Sequence, residues 1–325
     1  MRILAVDDDP IIQEILEQFV GAFGDHDLAT AGSAAEALEL LRAPAAPVFD
    51  CFLFDIQMPE VSGIELIRQV REIALYSDTP VLMLTAMSDK PYVDAAFAAG
   101  ATDYVTKPFE VTELHGRLKL LENLVEARQM QTRKIFAAAG LSAQKQPRQI
   151  ELHEPISIYD VDNVIEFTAL ENYVAQLTRG KLFGSSTFAF TIRNIESFHE
   201  HLSAFEYCSL VSDVAEMISD TLANRQFLMA YAGSGTFVCV TESGWRPKMS
   251  ALMDAINLNL ARSELYNNAG QRLEPRVCAG ECLRLIWKNS DTIMETVSAA
   301  HMSAEAASEA YERRLTDYWD MEKRA

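Results

Sequence analysis

The chain carries five cysteines, Cys51, Cys208, Cys239, Cys278 and Cys282, and none of them forms a CxxC pair. A zinc site or a thiol redox motif therefore has no spacing to rest on, and buried free thiols are the expected state. No apolar run reaches the roughly 18 residues that a membrane helix requires, so no membrane partner is expected. The opening residues MRILAVDDDP arrive at an acidic triplet before a secretory core can form, which points to a cytoplasmic chain. Positive charge is scarce: 28 lysines and arginines face 47 aspartates and glutamates, a net charge of −19. No basic stripe interrupts that balance, so a nucleic-acid backbone is not an expected partner. Internal repeats and low-complexity tracts are missing as well.

What is present fits an ordinary globular protein. The 325 residues, 49% of them hydrophobic and 23% charged, suffice for two domains and a linker. Residues 1–122 alternate between short apolar runs and helical patterns. Strands are expected at 2–6, 27–30, 50–54, 80–84 and 102–105, and helices at 10–22, 33–43, 62–74, 90–99 and 111–125. Five such units predict an α/β domain with a parallel sheet and helices on both faces. The strands are near-continuous apolar runs, as burial on both sides requires. Ser33 is placed to cap the second helix, and Gly100 to stop the fourth. Leu114, Leu118, Leu121 and Val125 are spaced four, three, four. They suit either a two-helix seam leaving the domain or the cover of their own sheet. Residues 123–157 are expected to extend that helix and then form a linker, because GLSAQKQPRQIELHEPIS holds two prolines and no period. Residues 158–325 mix helices with a central hairpin, FLMAY-AGSG-TFVCV, and predict an α+β domain with a mixed sheet.

Four apolar runs of the first domain end in reactive polar residues. ILAV meets Asp7-Asp8-Asp9, FDCFLF leads to Asp55, PVLML meets Thr85, and DYVT meets Lys107. The carboxyl ends of parallel strands share one rim, where ligands bind. Crowded carboxylates there need a cation. Mg²⁺ suits them, because it takes a few carboxylates, waters and phosphate oxygens. Asp55 is then a candidate nucleophile toward phosphorus. Lys107 offers a cation and Thr85 a hydroxyl.

These residues carry a resemblance. VDDDP, D-I-Q-M-P-x-x-S-G from Asp55, Thr85-Ala86 and Lys107-Pro108-Phe109 resemble the receiver domain of bacterial response regulators over residues 1–122. The resemblance implies a flavodoxin-like, doubly wound five-stranded sheet. It implies that Asp55 accepts a phosphoryl group from a sensor histidine kinase or a histidine phosphotransfer protein. It further implies Mg²⁺ held by Asp8, Asp55 and the backbone carbonyl of Gln57, with Asp7 acting mainly through water. Lys107 would pair with the phosphoryl group, Thr85 would move toward it, and Tyr104 would swing inward. The Lys107-Pro108 bond would be cis, and Gln57 and Met87 would tune the lifetime of the acyl phosphate. Asp9 is instead a helix-terminal charge.

The second domain resembles a GGDEF domain, the diguanylate cyclase family, in element order and hydrophobic pattern. The stretches that carry this are TIRNIESFHEHLSAFEYCSLVSDVAEMI, LMAYAGSGTFVCV and PRVCAGECL. The chemistry does not carry over. The signature hairpin is Gly233-Ser234-Gly235-Thr236-Phe237, with Gly235 and Thr236 where the family has acids. Asn194 falls at the metal-binding Asp, with Glu196 as the one acidic neighbour. Leu202 and Ser203 fall at the guanine-contacting pair, and Asn224 and Phe227 at the feedback site. The expectation is a degenerate, non-catalytic output domain, not an enzyme, switched by Asp55 and acting through an unknown downstream protein or a homodimer. The alternative is a divergent diguanylate cyclase or a GTP-binding sensor. The Gly-x-Gly turn is either a phosphate cradle or simply a turn. His199 and His201 do not share a helix face, Trp245, Trp287 and Trp319 are expected as core or interface aromatics, and SAEAASEAYERRL, with charges at helical spacing, is expected to present a solvated face.

Overall fold

A computed structural model describes residues 1–24, 26–43, 47–86, 90–141, 150–159, 161–176, 185–241, 244–285 and 290–322. The side chains of 131–141, 290–292 and 315–322 lie outside the described set. Contacts divide the chain into two units, Met1–Lys145 and Gln146–Ala325. That division falls within the expected 123–157 stretch.

The first unit alternates strand and helix throughout: β1 (Arg2–Val6), α1 (Pro10–Ala22), β2 (Asp27–Ala31), α2 (Ala34–Arg42), β3 (Cys51–Asp55), α3 (Gly63–Arg71), β4 (Val81–Thr85), α4 (Lys90–Ala98), β5 (Asp103–Thr106) and α5 (Val111–Leu141). The sheet order is β2-β1-β3-β4-β5, with every pairing parallel. This is the flavodoxin-like arrangement. Alternation along each strand divides the core in two. Leu4, Val6, Phe52, Phe54 and Met83 face one side, and Ile3, Ala5, Leu53, Leu82 and Leu84 face the other. Local chemistry starts the helices. Asp9 accepts from the Ile11 amide at 2.9 Å, Ser33 from Glu36 at 3.2 Å and Ser62 from Glu65 at 3.3 Å. Gly100, at φ +106°, follows α4 and ends it.

Leu114, Leu118 and Leu121 lie in the core against β1, β3 and β4. They cover their own sheet and are not free to form a two-helix seam. α5 stays on its unit beyond them. Gln129 donates to the Asp50 carboxylate at 3.2 Å, and Arg128 donates to the Asp78 carbonyl.

The second unit contains α6 (Phe167–Gln176), β6 (Ser186–Ile192), α7 (Ile195–His201), α8 (Ala204–Leu222), β7 (Phe227–Tyr231), β8 (Thr236–Thr241), α9 (Met249–Arg262), β9 (Val277–Ala279), β10 (Leu283–Arg284) and α10 (Ser290–Glu322). Its sheet runs β10-β6-β8-β7, with β9 also pairing β6, and these pairings are antiparallel. β9 and β10 are short and separated by three residues. Gly280 lies between them, and a Cβ there would fall 2.7 Å from the Ala304 amide nitrogen. α10 thus approaches the sheet through small residues. Ala300 and Ala304 are fully buried, while Glu309, Arg313 and Arg314 are exposed, so SAEAASEAYERRL buries one face and solvates the other. One face of β6 carries Phe188, Phe190 and Ile192 into the main core with α8 and α9.

Ile150, Leu152 and Ile156 also pack against that core. The second half of the expected linker is therefore part of the second unit, while 142–149 lie outside the described residues. Cys51, Cys239 and Cys278 are buried free thiols, and Cys208 and Cys282 are half-buried. Burial pushes the Cys51 thiol up to about 12. Trp245 packs edge-on to Phe188 at 6.2 Å, whereas the side chains of Trp287 and Trp319 are outside the described residues.

Replacing Leu118 by Ala should lower the unfolding free energy by about 2–5 kcal/mol. Leu120 is 52% exposed, and its replacement by Ala should change stability by less than about 0.5 kcal/mol. Urea unfolding followed by circular dichroism measures both, and equal effects would restore the seam.

Candidate functional site

The parallel register sets the site. Val6 pairs with Phe54, Asp55 with Leu84 and Thr85 with Thr106. Asp7, Asp55, Thr85 and Lys107 consequently emerge at the same rim, although Asp7 and Lys107 are 100 positions apart. The Lys107 ammonium lies 2.6 Å from Asp7 Oδ2 and 3.1 Å from Asp55 Oδ1. Asp7 is fully buried and Asp55 nearly so, while Asp8 is exposed.

Each group is held by its backbone. The Lys107 amide donates to the Thr85 carbonyl at 2.7 Å, and the Lys107-Pro108 peptide is cis. Asp7 Oδ1 accepts from the Asp9 amide at 3.1 Å. The loop after Asp55 folds back tightly, with the Gly63 amide on the Ile56 carbonyl at 3.1 Å. A Cβ on Gly63 would sit 1.9 Å from the Asp55 carbonyl oxygen, so only glycine fits there.

Burial raises the Asp55 pKa, because a carboxylate loses water there; the Lys107 charge and hydrogen bond oppose this, Asp7 adds to it, and the Gln57 amide bond opposes it. Carboxylate oxygens of Asp7, Asp8 and Asp55 all lie within 4.8 Å of one another. Among the described residues they are the one group of three or more acidic, histidine or cysteine side chains so placed. Three carboxylates against one ammonium leave an excess of negative charge on hard oxygen donors, and exposed Asp8 opens the group to water. A small divalent cation fits that donor set.

Thr85 is fully buried at the end of β4. Tyr104 is half-buried and stands edge-on to Phe97 at 6.2 Å. Gln57 contributes its backbone amide to Asp55. Met87 lies outside the described residues. Sequence reasoning missed Gln13. Its side-chain amide donates to the Asp7 carbonyl at 2.7 Å and reaches the Ala31 carbonyl at 3.4 Å, tying α1 to the ends of β1 and β2. The available signal was a polar residue between core-facing Ile12 and Leu16.

Several positions singled out in the second unit serve its local structure. Asn194 precedes α7 at φ 53° without a side-chain capping bond. Leu202 ends α7, and Ser203 caps α8 in a reciprocal capping box with Glu206. Thr236 bonds the Thr191 hydroxyl at 2.9 Å, and Phe237 is core. Phe227 opens β7 and is buried. His199 and His201 each meet a backbone carbonyl, of Ile150 and Ser197, and form no pair.

An acid-lysine cluster at the carboxyl rim of a flavodoxin-like sheet defines a phosphorelay type of domain. Residues 3–119 match the family model of the response regulator receiver domain. Response regulator MprA of Mycobacterium leprae is 39% identical over 121 residues, 37% of this chain and 50% of that protein. Transcriptional regulatory protein CrdR of Helicobacter pylori is 34% identical over 122 residues, 38% of this chain and 55% of that protein. The chain spans about half the length of these curated relatives. The solved chemotaxis protein CheY4 of Vibrio cholerae shares 31% identity, over 37% of this chain and 97% of that one, with a TM-score of 0.34. The N-terminal unit is a response regulator receiver domain.

Gly63→Ala should force the loop away from Asp55 and cost at least about 1–3 kcal/mol, as overpacking does. A thermal melt of the variant measures this, and an unchanged melting temperature would contradict the close approach.

Proposed function

We propose that the chain is a phosphorelay response regulator whose Asp55 accepts a phosphoryl group and whose second unit is a non-catalytic, GGDEF-like output domain. The observation that carries this reading is the Lys107 ammonium shared between buried Asp7 and Asp55. A carboxylate oxygen of Asp55 attacks phosphorus, the bond from phosphorus to the donor histidine breaks, and its electron pair leaves with the imidazole. Asp7, Asp8 and Asp55, with the Gln57 carbonyl, would hold Mg²⁺, which supplies charge neutralisation on the transferred group. Lys107 pairs with a phosphoryl oxygen, and the Thr85 hydroxyl donates to another. Tyr104 then follows Thr85 inward and alters the surface beside α4 and β5.

The donor is a histidine kinase or phosphotransfer protein. Output is by contact with a downstream protein or by self-association, because the second unit lacks acids at its signature positions. Gly235 and Thr236 stand where a cyclase would place them, and Thr236 is engaged with Thr191. Pairing of two copies through Leu114, Leu118 and Leu121 is not open, since the sheet already takes them.

Acetyl phosphate with Mg²⁺ should add one phosphoryl group to the intact chain, read by mass spectrometry. Asp55→Ala should abolish the addition, Lys107→Ala should slow it, and chelation of Mg²⁺ should prevent it. Equal labelling of Asp55→Ala would remove the proposed acceptor. Incubation with GTP and Mg²⁺ should yield no cyclic di-GMP, and product formation would favour the cyclase reading.

A further inference from the structure

The Gly233-Ser234-Gly235 turn between β7 and β8 is not an open surface. All three residues have positive φ, at 93°, 49° and 75°. The Ser234 amide donates to the Leu152 carbonyl at 2.7 Å, and the Gly235 amide to the Tyr231 hydroxyl at 2.9 Å. A Cβ on Gly233 would fall 2.3 Å from the His153 carbonyl oxygen, so the segment lies directly on the turn. That segment makes its own turn, from the Glu151 carbonyl to the Glu154 amide at 3.1 Å. It is fastened a second time from α7, where His199 Nε2 donates to the Ile150 carbonyl at 2.6 Å. The His199 ring stands edge-on to Tyr207 at 5.1 Å, and the Tyr207 hydroxyl meets Tyr231 at 2.9 Å. The contacts thus close a ring from segment to turn through the core.

We infer that Ile150–Glu154 is a regulatory strap, and that its docking on the Gly233–Gly235 turn is what the receiver domain controls. Two carbonyls of the strap, those of Leu152 and Ile150, take the Ser234 amide and the His199 Nε2 donor. Docked, the strap closes the surface. Lifted, it exposes the Ser234 amide and the His199 ring together. The strap begins nine residues after the end of α5 at Leu141. Any displacement of α5 that is carried along the chain reaches the second unit here. Beyond its one turn the segment holds no helix or strand, and irregular segments of that kind open locally without global unfolding.

The control step rests on the proposed phosphorylation of Asp55, and the test separates the two. Hydrogen exchange of the full chain is followed by mass spectrometry, with and without acetyl phosphate and Mg²⁺. Phosphorylation should raise exchange several-fold in peptides covering 150–156 and 232–236, while those of α8 and β7 stay protected. A mass increase of one phosphoryl group with unchanged exchange at the strap overturns the control by the receiver and leaves the acceptor reading intact. No mass increase overturns the acceptor reading and, with it, the control. A second arm tests the strap alone. His199→Phe keeps an aromatic ring on Tyr207 and loses the donor to Ile150, so it should raise exchange at the same two regions without phosphodonor. Unchanged exchange in that variant overturns the strap.

Discussion

The contact of one ammonium with two buried carboxylates organises the receiver unit. Asp7 has no exposure to solvent and would be costly as an isolated charge. Lys107 stabilises it at 2.6 Å and reaches Asp55 at 3.1 Å from the same position. That placement depends on β1, β3, β4 and β5 ending level, which the parallel register enforces. It depends as well on the close approach at Gly63, which turns the chain away immediately after Asp55. Gln13 adds a brace from α1 to the backbone of the acidic loop. The sheet, the tight turn and the brace all hold the site in one geometry.

The second unit is organised differently. Its polar groups near the hairpin turn are consumed internally, by Tyr231, by Thr191 and by the strap. The two glycines of the turn are needed for contact. Gly233 admits the His153 backbone, and Gly235 admits Ile195, whose Cβ would lie 2.9 Å from an added methyl. A Gly-x-Gly sequence is compatible with a phosphate cradle and with a packed turn, and here packing accounts for both glycines.

Most of the receiver was legible from residue order. Four strand ends carried Asp7, Asp55, Thr85 and Lys107, and the α/β alternation required those ends to meet. The cap at Ser33, the charge of Asp9 at the start of α1 and the stop at Gly100 were also legible, because they depend on neighbours a few residues away. The leucines of α5 were not, because a spacing of three and four residues describes a helix face without saying what covers it. The reach of the linker was lost for a similar reason. Ile150, Leu152 and Ile156 have no clear period, and only the core they touch shows that they belong to it.

The amino-acid sequence by itself determined the α/β order of the first unit, its acidic rim and the absence of acids at the hairpin of the second. These are properties of composition and spacing, and they survive without coordinates. The tertiary structure alone decided that Lys107 bridges Asp7 and Asp55, that α5 spends its leucines on its own sheet, and that Ile150–Glu154 lies on the Gly233–Gly235 turn. Each of these joins residues far apart in the chain, and such contacts are selected by packing and hydrogen-bond competition across the whole unit, which no local pattern encodes.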